Sequence, residues 1–342
     1  MPKRLSMNAK VAVIVRTMNR PVLLERALRS VLAQTMEDFA LVVVNDGGDP
    51  SGVEAVLKDA GAADDARLVL VHNKPNLGRV GAIHAGLDAA DSDYFVLHDD
   101  DDTWAPEFLA VTTAHLDTHP DDGAAATSTE VVFEEMDGTT ITEVRREWLA
   151  KDLSEASLIE MAVRNYIPPI ALLVRRSVLD KTGRFDPSLP VLEDWDFNLR
   201  LLRHYSVGFV TGPLAHWHHR ENATGDDSNS VTAEASDHAH YDVLLRDAYL
   251  RRDLDGSGEG LGHLLAEGYL HRKLEAHIVA TNFAEDNWHH GHQDHLSEVA
   301  KMMSLEVGRL RGEVIALRDQ LKDVDSTVSS LREAPPKGRF RK

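Results

Sequence analysis

The chain has 342 residues, 43% of them hydrophobic, and a formal net charge of −19, which is enough apolar content for one large or two ordinary domains with full cores. So large an acidic surplus argues against a nucleic-acid partner, because phosphates need a basic face. The absence of cysteine excludes disulfides and thiolate metal centres.

In chain order, basic Lys3, Arg4 and Lys10 precede the apolar run Val11 to Val15. That run is too short for a signal-peptide core, and no stretch reaches the roughly 18 apolar residues of a membrane span. A cytoplasmic location is expected. "VAVIV" (11–15), "ALVVV" (40–44), "RLVLV" (67–71) and "YFVLH" (94–98) are short β-branched runs that read as buried parallel strands. Helical patterns at Pro21 to Ala33, Ser51 to Ala60 and Gly78 to Ala90 lie between them, with Pro21 suited to a first helical position and Ser51 near an N-cap. This alternation predicts a doubly wound α/β sheet.

Ligands of such sheets bind beyond the carboxyl ends of the strands. Four polar stretches stand there and should converge: Arg16-Thr17-Met18-Asn19-Arg20, Asn45-Asp46-Gly47-Gly48, His72-Asn73-Lys74 and Asp99-Asp100-Asp101-Asp102. Four consecutive acids repel one another and cannot join an apolar core. Asp99 and Asp101, two apart, share one face of an extended segment and suit a hard divalent cation, Mn²⁺ or Mg²⁺, whose shell a diphosphate could complete. A solvated acidic loop is the alternative. "NLGRVGAIHAG" sets free N–H groups at a helix start, with Arg79, where anionic oxygen could bind. It is not a G-x-G-x-x-G fingerprint, and no P-loop pattern occurs.

Beyond residue 124 a hairpin is expected to turn at Asp137-Gly138. A short helix, the Pro168-Pro169 break and the run "IALLV" follow. Leu192 to Tyr205 reads as a helix that buries Phe197, Leu201 and Leu202 and opens on Glu193-Asp194. Those acids either serve helix-end electrostatics or supply a general base. "HWHHRE" (216–221) follows a short strand, "VGFVT". One of His216, His218 and His219 could complete a metal shell, and Arg220 could grip phosphate. Residues 220–236 read as a polar loop and a candidate lid.

The chain then reads as helical almost to its end. Ala300, Val307, Val314, Leu321 and Val328 fall at heptad position a, and Leu296, Met303, Leu310, Leu317, Val324 and Leu331 at d. This pattern favours a parallel two-stranded coiled coil, with Glu306 and Glu313 at g facing Arg311 and Arg318 at e. One long helix lying on its own domain is the alternative. The tail, with Lys337, Arg339, Arg341 and Lys342, is a candidate contact for anionic lipid at the membrane's inner face, or a solvated end.

The order of motifs resembles glycosyltransferase family 2, the inverting nucleotide-sugar transferases of GT-A fold. "VIVRTMNRPVLLERALRSVLAQT" looks like that family's opening strand, loop and helix, and "LVVVNDGGD" its second strand and nucleotide-contacting acid. "NLGRVGAIHAGL" looks like its third loop and helix, "LHDDDDTW" its D-x-D motif with trailing Trp, and "LEDWDFNLRL" its E-D base motif. The resemblance covers about residues 10–221. It implies a mostly parallel sheet flanked by helices over 1–225; the residues beyond are expected, from their own patterns, to form a helical extension (226–295), the coiled coil (296–333) and the basic tail (334–342).

The resemblance also implies roles. Thr17 and Asp46 would contact the nucleoside, with Asn19, Arg20, Arg79, Asp100 and Arg220 as further donor contacts. Asp99 and Asp101 would hold Mn²⁺ or Mg²⁺, with His218 or His216 as a third ligand. Asp194 would be the base and Glu193 its support. The partners implied are a nucleoside-diphosphate sugar and a glycan or lipid-linked acceptor, with Trp148, Tyr166 and Trp195 as stacking platforms unless they are core. His84 and Asn45 depart from the family pattern, where Asn and an acid are usual. Two rivals stay open on the residues alone: a metal-dependent phosphoesterase, and a non-catalytic dimeric scaffold.

Overall fold

The computed structural model describes residues 8–220, 223, 225, 235–285, 304, 305 and 309. The heptad segment is otherwise outside the described residues, as is the basic tail. Four strands, β1 (Asn8–Thr17), β2 (Phe39–Asp46), β3 (Leu68–Asn73) and β4 (Asp91–Asp99), run parallel in the spatial order β3-β2-β1-β4. They alternate with α1 (Pro21–Leu32), α2 (Pro50–Asp59) and α3 (Gly78–Ala89). Every residue of β2 is buried, as a strand covered on both faces must be. Helix α2 is capped by Asp49, whose carboxylate accepts from the Ser51 and Gly52 N–H groups at 3.2 Å. The cap is therefore two residues before Ser51, with Pro50 at the first helical position.

The chain next adds β5 (Thr103–Trp104), α4 (Phe108–Thr118), and the hairpin of β6 (Asp122–Asp137) and β7 (Thr140–Leu149). Asp137 pairs with Thr140 across a turn through Gly138, at φ 59°, the left-handed conformation that glycine adopts without strain. Then come α5 (Leu158–Val163), a 3-10 turn at Pro169–Ala171, β8 (Leu172–Arg175), α6 (Leu179–Thr182), α7 (Glu193–His204) and β9 (Ser206–His219). The sheet continues from β4 through β8, β6 and β9 to β5, with β7 hydrogen-bonded to β6. Strands β1, β2, β3, β4, β6 and β9 run one way, and β5, β7 and β8 the other. The result is a mostly parallel sheet flanked by helices.

One expectation changes here. "VGFVT" is only the start of β9, which runs on through His219. The Gly212-Pro213 step looks like a break, yet the ladder to β6 only shifts register around it and resumes at Thr129↔Ala215, as a bulge does.

Helices α8 (Ala235–Leu254) and α9 (Leu261–Glu285) follow. Contacts group residues 1–274 into one unit and 275–342 into a second. The first unit thus contains α8 and the opening turns of α9. Among the described residues no helix is long and apolar enough to cross a membrane.

Helix α3 touches the sheet through Gly86, where an added β-carbon would stand 2.4 Å from Cγ2 of fully buried Ile14. Replacing glycine gains at most about 1 kcal/mol of helix propensity, whereas overpacking a core costs about 1–3 kcal/mol. Gly86→Val should therefore lower the thermal midpoint, with net destabilisation of about 1–2 kcal/mol measurable by denaturant titration.

Candidate active site

In-register parallel pairing brings the polar strand ends to one edge. Thr17 lies beside Asn45, Asp46 beside Asn73, and Arg16 beside Asp99. A cavity of about 640 Å³ opens there, lined by Arg16, Thr17, Arg20, Asp46, Arg79, Asp99, Asp100, Asp101, Asn165, Glu193, Asp194 and Trp217 among others. Residues scattered from 16 to 217 thus meet at one place, as expected of three of the four strand ends; of the fourth, His72-Asn73-Lys74, none lines the cavity, and Asn73 acts only by donating to Asp46.

Each acid of the run has its own partner. Arg16 donates from Nε to Asp99 at 2.7 Å and from Nη1 to Glu193 at 3.1 Å, bridging the strand-end acids to α7. Burial alone would push the Asp99 carboxyl up, but the Arg16 guanidinium outweighs it and holds the group below the usual range. Asp100 accepts from the Thr17 hydroxyl at 2.7 Å and from Arg20 at 3.1 Å. Burial and the neighbouring Asp101 nevertheless raise it to about 6. Asp101 Oδ2 accepts from Arg20 at 3.4 Å and from Arg220. Asp102 accepts from the His218 backbone N–H at 2.9 Å, and burial with two acidic neighbours pushes it well up. Trp104, which ends the motif, is a core plug: it stacks on Phe108 at 4.3 Å and donates to the Ile170 carbonyl at 2.7 Å.

Asp46 accepts from Asn73 and from the Leu77 N–H, both at 2.9 Å, which ties the second strand end to the loop before α3. Asn19 has a positive φ of 58° and accepts from the Asp49 N–H at 3.2 Å, so it shapes the loop and does not line the cavity.

Opposite stands α7. Leu192 adopts the left-handed conformation, φ 64° and ψ 16°, unusual for a branched residue and a mark of strain held by its surroundings. The next two residues, Glu193 and Asp194, line the cavity. Asp194 accepts from Asn165 Nδ2 at 2.7 Å. Burial and then the charge of Glu193 raise its carboxyl to about 7, the range in which a carboxylate is an effective base at neutral pH.

The three aromatic residues expected at the acceptor fall elsewhere. Trp195 is 2% exposed, with its indole N–H on the Met161 carbonyl at 2.7 Å. Tyr166 is 5% exposed, with its hydroxyl accepting from the Ser157 N–H at 2.8 Å. Both are core residues and neither lines the cavity, so the core alternative holds for them. Trp148 is exposed on β7, also outside the cavity lining. Trp217, on β9, does line the cavity.

His218 is engaged on both ring nitrogens, by Glu134 and by the Thr103 hydroxyl, each at 2.8 Å. His216 lies 3.4 Å from the Thr103 hydroxyl and 3.7 Å from Glu130. Burial lowers the pKa of both imidazoles. Neither lines the cavity, nor does Arg220. Among the described residues no group of three His, Asp or Glu side chains is arranged to hold a metal ion.

Sequence reasoning missed Asn165, Trp217, Arg26 and Glu134. Glu134 accepts from Arg26 at 2.7 Å and from Arg220 at 3.0 Å, and its pKa falls to about 2 because His218 and Arg26 outweigh its burial. Period-two alternation from buried Val132 could have found it, since Glu134 continues the same face.

The model of the family described as Glycosyl transferase family 2 matches residues 12–183. The chain is 29% identical over 198 residues to the uncharacterized glycosyltransferase YwdF of Bacillus subtilis, covering 58% of this chain and 70% of that one. It is 41% identical over 105 residues to the succinoglycan biosynthesis protein ExoW of Rhizobium meliloti, covering 30% and 32% respectively; the match thus spans about a third of ExoW's length. Among solved structures, the mannosyltransferase PcManGT from Pyrobaculum calidifontis, in complex with GDP-Man and Mn²⁺, superposes with a TM-score of 0.55 at 20% identity, covering 87% of this chain and 81% of that one. That likeness is one of fold, the GT-A arrangement. With half of its residues matched by the family model, the chain belongs to glycosyl transferase family 2, a family of glycosyltransferase enzymes.

Proposed function

We propose that this chain is a metal-dependent, inverting transferase. It moves a sugar from a nucleoside diphosphate to a hydroxyl of a glycan or lipid-linked acceptor, in surface-polysaccharide synthesis. The observation that carries this reading is the pairing, in one cavity, of the Asp99–Asp101 run with Asp194, whose carboxyl lies near 7. ExoW, by its name a succinoglycan biosynthesis protein, supports the pathway class.

The cavity's carboxylates, Asp46, Asp99, Asp100, Asp101, Glu193 and Asp194, outnumber its guanidiniums, Arg16, Arg20 and Arg79. A compensating cation would ease the entry of a diphosphate into so acidic a cleft. Asp99 and Asp101 offer hard oxygen donors that fit Mn²⁺ or Mg²⁺, with phosphate and water completing the shell. When bound, the ion would act as a Lewis acid toward the leaving diphosphate.

The chain's own residues supply the rest. Thr17 and Asp46 would contact the nucleoside, and Arg79, at the start of α3, anionic oxygen. Asp194, oriented by Asn165, takes the proton of the acceptor hydroxyl. That oxygen bonds to the anomeric carbon as the bond to the diphosphate oxygen breaks on the opposite face, so configuration inverts without a covalent enzyme intermediate. Leu149, Pro168, Pro169 and Trp217, all at the cavity wall, supply apolar surface on which an acceptor sugar would rest.

Release of nucleoside diphosphate from a panel of sugar donors with Mn²⁺ tests this reading. Release that depends on an added glycan acceptor, with an inverted anomer by NMR, is the expected result. Acceptor-independent turnover would point instead to a hydrolase. The domain division and the parallel dimer through 296–331 remain part of this proposal, and sedimentation of the full chain checks the dimer.

A further inference from the structure

Asp101 Oδ2 is one of the two oxygens that carboxylate could offer a cation, and Arg220 Nη2 already sits on it with Arg20 beside it. The Arg220 side chain is 0% exposed, and its other arm, Nη1, is on Glu134 Oε1 at 3.0 Å. Glu134 is itself fixed by Arg26 at 2.7 Å and His218 at 2.8 Å. Arg220 therefore bridges two buried carboxylates, one at the cavity and one behind it.

This arrangement allows an exchange. A guanidinium pulled off a sole buried partner would be left an uncompensated charge. Arg220 would not, because Glu134 retains it. A cation approaching Asp101 alone meets positive charge already at the same oxygen. When a diphosphate arrives with the cation, the arm freed from Asp101 would have to turn toward the cavity, where phosphate oxygens could accept from it.

We propose that Arg220, held from behind by Glu134, competes with the divalent cation for Asp101, so that cation affinity is coupled to the presence of the diphosphate. The inference rests on the reading of Asp101 as a cation ligand made above. Its consequence is an order of binding: free metal occupies the site poorly, and metal with diphosphate occupies it well, a coupling that is reciprocal.

Calorimetric titration of the full chain with Mn²⁺ alone, and with the Mn²⁺–pyrophosphate complex, reads both affinities. Arg220→Gln should bind Mn²⁺ alone about tenfold more tightly than wild type and the pyrophosphate complex more weakly. Opposite signs are the signature, since mere loosening of the fold would weaken both. Unchanged or weaker binding of Mn²⁺ alone overturns the proposal. If Arg220→Gln fails to fold by circular dichroism, Arg220→Lys carries the test: one ammonium cannot span both carboxylates, so the same signs are expected, and their absence is equally fatal. Asp101→Asn separates the two readings. Loss of Mn²⁺ binding there, with no gain in the Arg220 variant, refutes the competition alone; wild-type Mn²⁺ binding refutes Asp101 as a ligand.

Discussion

Asp194→Asn should lower kcat by about 10³-fold, within the span that general-base catalysis contributes, while donor affinity stays near that of wild type. The amide has the shape of the carboxylate and cannot take the acceptor's proton. It also loses the charge that accepts from Asn165 at 2.7 Å. A pH profile gives a second check. Burial and Glu193 raise the Asp194 carboxyl to about 7, and the base form is the ionised one. The rate should therefore be flat above pH 7 and fall about tenfold per unit below it. Because repulsion from Glu193 is part of the shift, Glu193→Gln should move the acid limb to lower pH. A limb that stays in place in that variant would mean another group titrates.

The second large effect is on stability. Arg246, on α8, is 5% exposed and donates to the carbonyls of Ala162 at 2.9 Å, Leu265 at 2.6 Å and Val163 at 3.1 Å. It also pairs with Asp242 at 3.0 Å and lies 4.5 Å over the Trp195 ring. Removing it takes a charged donor from three carbonyls at the junction of α5, α8 and α9 and loses a desolvated cation–π contact. Arg246→Ala should cost about 3–5 kcal/mol, as breaking buried ionic contacts does, and lower the thermal midpoint by roughly 10 °C. Arg251→Ala, which removes an exposed pair with Asp247 on the same helix, should be nearly neutral. Trp195 follows Asp194 directly, and Tyr249 on α8 donates to Asp196 at 2.7 Å. The helices after β9 therefore brace the helix that carries the acid pair, and equal midpoints for the two variants would contradict that account.

Much of the first half was legible because its signals are local. β-branched runs separated by helical patterns give the parallel sheet, and the sheet rule then says where its ligand edge must be. Parallel register did the rest, placing Thr17, Asp46 and Asp99 together. What stayed hidden depends on distant chain. Arg16 reaches Glu193 across 177 positions, and Asn165 and Glu134 gain their roles only from partners that folding delivers. Trp195 shows a different failure. Next to an acid it looked available for stacking, but adjacent helical residues point about 100° apart. Asp194 faces the cavity while Trp195 turns into the core. The histidines of "HWHHR" show a third case: three in a row of five suggest ligands, but on a strand only His216 and His218 share a face, and His218 is already held by Glu134 and Thr103.

The central claim is that the strand-end acids hold a nucleotide through a divalent cation. Calorimetric titration of UDP, GDP, dTDP and CDP, each with and without Mn²⁺, on wild type and Asp101→Asn tests it most directly. The account predicts micromolar binding of one nucleotide that needs both Mn²⁺ and Asp101. Binding that survives without either, or no binding of any of the four, would contradict it.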